Sequence, residues 1–336
     1  MSASETRMKK LNILVAGGAG YIGSVVTAHL MESGHSVVVL DNLSTGYRQA
    51  IHPGARFVRG DIAEQAAVET ACEGGIDVAM HFAAFIEVGE SVANPAKYYE
   101  NNVIKAVRFI DNLRRCGIEA LVFSSTAAVY GEPDIVPITE SAALHPVNPY
   151  GRSKLFIENV LADYDSAYAF RSVALRYFNA GGSYGSYGEN HHPESHLIPI
   201  MLNAVKSGGE LKVYGDNYDT RDGSCIRDYI HVSDLAKAHI LAAQYLAAGG
   251  SSDCFNLGTG NGYSVLEVID TVERVLGKHV STVMAARRDG DPAALVASPD
   301  KAMAFLGWKG AVSTLEDIIS SAWQWKQEFP NGYGDE

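Results

Sequence analysis

The chain has 336 residues and a formal net charge of −12, long enough for one large core or two modest ones and too acidic, with no clustered basic run, for a nucleic-acid phosphate binder. No apolar stretch reaches the ~18–20 residues that span a bilayer, and the polar residues 1–10 read as a frayed tail rather than a secretory signal. Cys72, Cys116, Cys225 and Cys254 form no C-x-x-C pair, so reduced thiols, a cytoplasmic location and no membrane partner are expected.

The first element is an apolar run, Leu11-Asn12-Ile13-Leu14-Val15-Ala16, which reads as a buried parallel strand. It leads straight into Gly17-Gly18-Ala19-Gly20-Tyr21-Ile22-Gly23 and then into a helical pattern ending at Ser33. Gly17, Gly20 and Gly23 let the backbone turn tightly and approach a pyrophosphate, whose charge faces the helix N-terminus. A second apolar strand, 36–40, ends at Asp41, close to 20 residues past the loop. A carboxylate there accepts hydrogen bonds from adenosine ribose hydroxyls and repels a 2′-phosphate, which favours NAD over NADP.

Residues 57–59, 77–82, 120–125 and 172–177 continue the strand series, with helices at about 64–73, 95–116 and 149–168 between them. The alternation predicts an α/β fold, a Rossmann-type doubly wound parallel sheet with ligands along its carboxyl edge. Asp61 ends the third strand at that edge, where it either meets the adenine amino group or simply starts a turn.

Asn148 reads as an N-cap and Pro149 as the first residue of the helix that follows, placing Tyr150 and Lys154 one turn apart on one face. A phenol with an ordinary pKa of about 10 is a poor base at neutral pH, so a neighbouring ammonium and a cationic nicotinamide are expected to favour its ionised form. Taken alone, Tyr-x-x-x-Lys is equally an ordinary surface pair; the glycine loop upstream gives it weight.

After Asn179 the texture changes to glycine and tyrosine, through Tyr187 and Gly188 to His191-His192-Pro193-Glu194, which reads as a loop entering a smaller mixed α/β lobe. Residues 1–180 are expected to form the cofactor domain and 181–336 the second lobe. Within the lobe, strands at 211–214 and 228–231 and helices at 196–206 and 233–248 are predicted. A strand near 253–258 returns to the main sheet, and helices follow near 264–276, 299–306 (Ser298 as cap, Pro299 first) and 314–328. No metal ligands are read.

Gly17–Gly23, Asp41-Asn42-Leu43, Gly60-Asp61-Ile62, His81-Phe82-Ala83-Ala84, Val88-Gly89-Glu90-Ser91, Tyr98-Tyr99-Glu100-Asn101-Asn102, Ser124-Ser125-Thr126, Val129-Tyr130-Gly131, Arg176-Tyr177-Phe178-Asn179 and Arg227-Asp228-Tyr229-Ile230-His231-Val232 stand in this order. On these segments the chain resembles the extended short-chain dehydrogenase/reductases and, within them, the UDP-galactose (UDP-glucose) 4-epimerases, from Leu11 to about Trp325. It departs from their usual pattern at Ala16 (usually Thr), Ile86 (a cofactor-reaching Lys in some) and His196 (often an Asn at the nucleotide-sugar diphosphate).

The resemblance implies that Tyr150 takes the proton of the sugar 4-hydroxyl while NAD accepts the C4 hydride, that Thr126 bonds the same oxygen, and that Lys154 holds the nicotinamide ribose. The cofactor contacts it implies also include Tyr21, Ile22, Asn42, Ile62, Phe82, Ala83, Ala84, Asn101, Ser124 and Tyr177. On the UDP-hexose it implies Arg227 and Arg288 at the diphosphate, Asp291 at the uridine ribose, Asn179 on the sugar side, His196 and Leu197 nearby, and Tyr214 beside the uracil. Leu295 falls where the family lines the hexose 2-substituent. Blander roles stay open: Thr126 as a turn cap, Tyr214 and Leu295 as packing, the arginines as solvated charges. A 4-epimerase of UDP-glucose and UDP-galactose is expected. The alternatives are a 4-epimerase of a UDP-pentose or UDP-N-acetylhexosamine, a 4,6-dehydratase (which needs carboxyl groups where this chain has Ala127 and Ala128) and a non-catalytic NAD-sensing regulator. The resemblance also implies a homodimer through the helices near 95–116 and 149–168, using Val103, Val107, Ile110, Phe156 and Val160, unless these face their own sheet.

Overall fold

Seven parallel strands make the main sheet of the computed structural model, which describes residues 10–288 and 291–334. Six follow the predicted order: β1 (Asn12–Ala16), β2 (Ser36–Asp41), β3 (Arg56–Arg59), β4 (Val78–His81), β5 (Ala120–Thr126) and β6 (Arg171–Tyr177). The seventh, Asp253–Leu257, returns beside β6 as expected, giving the order Asp253–Leu257, β6, β5, β4, β1, β2, β3. All neighbours run parallel, and β4 and β5 are buried along their whole length, because helices cover both faces. The strand order reverses between β1 and β4, which opens a crevice at their carboxyl ends.

On one face, Val25, Val26 and Leu30 of helix α1 (Tyr21–Glu32) pack with Leu235, Ala238 and Leu246 against the sheet. The helix expected inside the second lobe at 233–248 is therefore Val232–Ala247 and lies on the main sheet, as do Ala302 and Trp308. Its apolar face, rich in Ala and Leu, packs on the main sheet with Val25, Val26 and Leu30 of α1. On the other face, helix α2 (Gln65–Cys72) and the helices at 106–115 and 149–168 bury Val68, Phe109, Ile110, Leu113, Ile157 and Leu161.

The helix expected over 95–116 starts at Pro95 under an Asn94 cap and passes through one wider turn, Glu100–Lys105, before Ala106–Arg115. The helix expected to begin at Pro299 runs over Asp300–Leu306, with Pro299 as its cap and the Ser298 hydroxyl on the Asp300 carboxylate at 3.0 Å. The second lobe has its own core, where Met201, Leu202, Val213, Val268 and Ile318 meet. Its small sheet is built on Ile226–His231, flanked by Gly262–Ser264, Ala294–Leu295 and Asn179–Gly181. Buried Asp228 joins this sheet to the strand returning from the main one, accepting from the Thr259, Gly260 and Ala297 backbone N–H groups at 2.8–3.1 Å. Among the described residues no helix is long and apolar enough to cross a membrane. The tail predicted at residues 1–10 lies, but for Lys10, outside the described residues.

Candidate active site

The glycine loop leaves β1 with Gly17 in the left-handed region (φ +84°), its N–H on the Leu40 carbonyl at 2.9 Å. A Cβ on Gly17 would stand 2.5 Å from the Ala83 nitrogen, and one on Gly23 only 2.2 Å from the Gly17 carbonyl oxygen. A Cβ on Gly20 would meet nothing closer than the Gly17 oxygen at 3.5 Å, so the chain's own packing does not demand glycine there. The bare Gly20 backbone suits the approach of a pyrophosphate at the start of α1, the cradle a dinucleotide needs. Gly23→Ala is expected to cost about 1–3 kcal/mol of stability through overpacking against backbone and to strip bound NAD. Thermal unfolding and the nucleotide content of the purified variant check this, and parental NAD content would refute it.

Asp41 closes the loop's far side. Its buried carboxylate accepts from the Ala19 N–H at 2.9 Å and the Leu43 N–H at 2.8 Å, with burial pushing its pKa up against those bonds. Asp61 is both a turn former, accepting from the Ala63 N–H at 2.9 Å, and half of an ion pair with Lys105 at 2.6 Å. Burial pushes its carboxyl up, but Lys105, the Ala63 N–H and Asn42 together hold it low. Exposed Asn42 donates to the same carboxylate at 3.1 Å, and Ile62 is buried beneath. Asn101 donates to Asn102, whose side chain clamps both the N–H and the carbonyl of Phe85 at 2.9 Å. Asn102 and Lys105 have no assigned role in the sequence, because their partners, Phe85 after β4 and Asp61 after β3, are distant along the chain. Phe82, Ala83 and Ala84 head that loop, half-buried, and Tyr21 and Ile22 open α1.

Asn148 caps the helix Pro149–Tyr168 as predicted, accepting from the Gly151 N–H at 2.8 Å. Lys154 is buried and donates to the Ser124 carbonyl at 2.8 Å, and the Ser124 hydroxyl bonds the Tyr177 hydroxyl. Burial drives the Lys154 ammonium down to about 7, opposed by the negative charge of Glu158. Burial pushes the Tyr150 phenol up to about 12, a hydrogen bond with Thr126 pulls it down, and Glu87 pushes it up again. The Lys154 ammonium lies over the Tyr150 ring, 6.0 Å from its centre, and donates to the Ser124 carbonyl. Thr126 fills the turn role open to it, accepting from the Ala128 N–H at 3.1 Å, and it also hydrogen-bonds the Tyr150 phenol.

A network behind the reacting groups was also missed. Arg176, next to Ser125 in the β5–β6 register, pairs with Glu158 at 2.5 Å and donates to Tyr130 at 3.0 Å. Glu158 also accepts from the Ser125 hydroxyl. Its position four residues beyond Lys154 was the available signal, since it shares that face of the helix.

The small sheet gathers the substrate candidates. Arg227 faces Leu295 in register and pairs with Asp291, while Asn179 lies exposed opposite Tyr229. Leu295 packs against the cluster of Ala127, Val129 and Phe178 just past Thr126. Exposed Arg288 lies over the Tyr214 ring at 3.9 Å, so these two meet each other. Gly290, beside Asp291, lies outside the described residues. His196 caps the helix Leu197–Ser207, its Nδ1 turned to Glu189 at 2.8 Å and Glu194 at 3.2 Å. Its pKa is raised because, although burial lowers it, the Glu189 and Glu194 carboxylates prevail.

The model of the NAD dependent epimerase/dehydratase family matches residues 13–258. A UDP-glucose 4-epimerase of Lacticaseibacillus casei is 47% identical over 329 residues, 97% of this chain and 99% of that protein. The structure of UDP-glucose 4-epimerase from Brucella ovis in complex with NAD superimposes with a TM-score of 0.91 at 47% identity, covering 94% of this chain and 98% of that one. The UDP-Glc/GlcNAc 4-epimerase of Campylobacter jejuni superimposes at 0.83 with 40% identity, covering 95% and 99%.

Proposed function

This chain belongs to the NAD dependent epimerase/dehydratase family, and from that premise we propose that it is an isomerase interconverting UDP-glucose and UDP-galactose at C4 of the hexose. The observation that carries the reading is the meeting of Tyr150, Thr126 and Lys154 at the carboxyl end of β5, across from the glycine loop. NAD, when bound, would supply the acceptor and donor for the C4 hydride and a further positive charge near Tyr150. Tyr150 takes the proton from the sugar 4-hydroxyl and later returns it. Thr126 fixes the phenol's direction through their hydrogen bond. Lys154, anchored by Ser124, presents a cation on the cofactor side. Arg227 holds the diphosphate, and Asp291, its partner here, turns to the uridine ribose. Tethered only by its nucleotide, the 4-keto sugar can present either face.

Ala127 and Ala128 follow Thr126 in a short turn, so only methyl groups stand where a 4,6-dehydratase needs its acid and base. A regulator without catalysis would not need Tyr150 and Lys154 together. A coupled assay against a panel of UDP-sugars tests the reading: UDP-galactose should turn over to UDP-glucose without net NAD reduction. Failure to epimerise any UDP-sugar would overturn it.

Within this reading Leu295 restricts the hexose 2-substituent, being smaller than Tyr and larger than Ser, so N-acetylhexosamine activity should be weak. Leu295→Ser should raise kcat/KM for UDP-N-acetylglucosamine and spare UDP-galactose; an unchanged ratio would remove Leu295 as the gate. The protein also works as a cytoplasmic homodimer in this proposal. Ile110 is fully buried in the chain's own core, while Val103, Val107 and Val160 are half-buried beside it. Phe156, Ile104 and Tyr99 stay exposed on the same two helices and support pairing. Sedimentation should give a dimer at micromolar concentration, and a monomer would refute it.

A further inference from the structure

The segment from Gly188 to Leu197 carries a cluster that neither the proton chemistry nor the diphosphate contacts use in full. Glu189, His191, Glu194 and His196 each present one donor atom, and the four atoms lie within 4.8 Å of one another. His196 Nδ1 stands 2.8 Å from Glu189 and 3.2 Å from Glu194, while His191 Nδ1 stands 3.2 Å from Glu189 and 4.0 Å from Glu194. A tetrahedral zinc ion with bonds of about 2.0–2.1 Å spaces its donors about 3.3 Å apart, in the middle of that range.

Hydrogen bonding alone does not account for the arrangement. His191 Nδ1 is buried and makes no hydrogen bond, although it faces Glu189 at 3.2 Å. The two carboxylates are 7% and 13% exposed and face both imidazoles, so four candidate donors are gathered with little water between them. Glu194 is held in place by the Ser195 and His196 N–H groups, both at 2.9 Å, a built orientation rather than a chance one. The ring of Tyr21, from the glycine loop, packs edge-on against His191 at 6.3 Å. The Tyr21 hydroxyl in turn donates to the Gly182 carbonyl at 2.6 Å.

We propose that Glu189, His191, Glu194 and His196 form a four-coordinate site for a divalent cation of the zinc class. Two imidazoles with two carboxylates suit zinc, whereas calcium and magnesium favour all-oxygen shells. Four protein donors complete a tetrahedron and leave no open position, so the ion is structural. It braces the segment between the two lobes against Tyr21 and orients His196. With His196 Nδ1 on the metal, only the other ring nitrogen can face the nucleotide diphosphate.

The test uses full-length protein with NAD, stripped with a chelator and then loaded with Zn²⁺ or Co²⁺. One equivalent of zinc should survive gel filtration, cobalt should show intense tetrahedral visible bands, and zinc should raise Tm. His191→Ala and the near-isosteric Glu189→Gln should each weaken binding at least about tenfold, with parental NAD content certifying the fold. Absence of a retained equivalent, an octahedral cobalt spectrum, or undiminished zinc in both variants would overturn the site. If both variants fail to fold, the parental protein decides: a Tm unmoved by zinc overturns the proposal.

Discussion

Tyr150→Phe should keep its fold and its NAD and lose about 10²–10⁴-fold in kcat, the span of general acid–base contributions, equivalent to about 2.7–5.5 kcal/mol of barrier. Only the phenolic oxygen is removed. Its hydrogen-bond partner, Thr126, keeps the Ala128 N–H as a second contact, so the stability cost should stay near the ~0.5–1.5 kcal/mol of an ordinary hydrogen bond. The chain itself raises the phenol to about 12 through burial, with Glu87 adding to the rise. The base therefore depends on bound cofactor for its ionisation, and kcat of the parental enzyme should fall with falling pH in the holoenzyme. Turnover of UDP-galactose by the variant, with NAD content confirmed, measures the effect. A near-parental rate would show that Tyr150 is not the base.

Glu158→Ala should destabilise the protein by about 3–5 kcal/mol, the usual cost of leaving one partner of a buried ion pair alone. Arg176 is 4% exposed, and its guanidinium spans the Glu158 carboxylate through Nε at 3.0 and 3.2 Å and Nη2 at 2.5 Å. Without Glu158 the cation keeps its hydrogen bond to Tyr130, at 3.0 Å, and no carboxylate hydrogen bond among the described residues. The same change reaches the site. Burial lowers Lys154 to about 7, and Glu158 is the charge that holds it there; without it the pKa falls further. Lys154 is cationic below its pKa, so the variant should lose activity as pH rises at lower pH than the parent does. Denaturant unfolding checks the first effect and a kcat profile over pH the second; parental stability would sink the argument. Glu158→Gln, which keeps the shape and loses the charge, separates charge from packing.

Much of the architecture was legible because short-range physics writes it locally. Buried parallel strands read as unbroken apolar runs, and β1, β2, β5 and β6 begin or end within a residue of the predicted limits. The N-cap at Asn148 with Pro149 marks the start of the helix Pro149–Tyr168 without any tertiary information. Glycine at 17 and 23 likewise points to close backbone approach, which the structure shows at Ala83 and Gly17. The candidate residues at the carboxyl edge follow from this, since a parallel sheet brings strand ends together whatever surrounds them.

Other features were settled only by folding, for one reason: they depend on groups distant in sequence that meet across elements. Ile110 has the same spacing whether it faces a partner or its own sheet, and packing against Phe109 and Leu161 decides for the sheet. Val232–Ala247 reads as a lobe helix until the main sheet offers it a larger apolar face. The carboxylate that adds to the rise at Tyr150 is Glu87, on the loop after β4 and 63 positions away. Helical spacing placed Tyr150 and Lys154 on one face, but burial and the Ser124 carbonyl determined which atom the lysine serves. Sequence determined which residues reach the site; the low-dielectric packing around them decided their protonation and their partners.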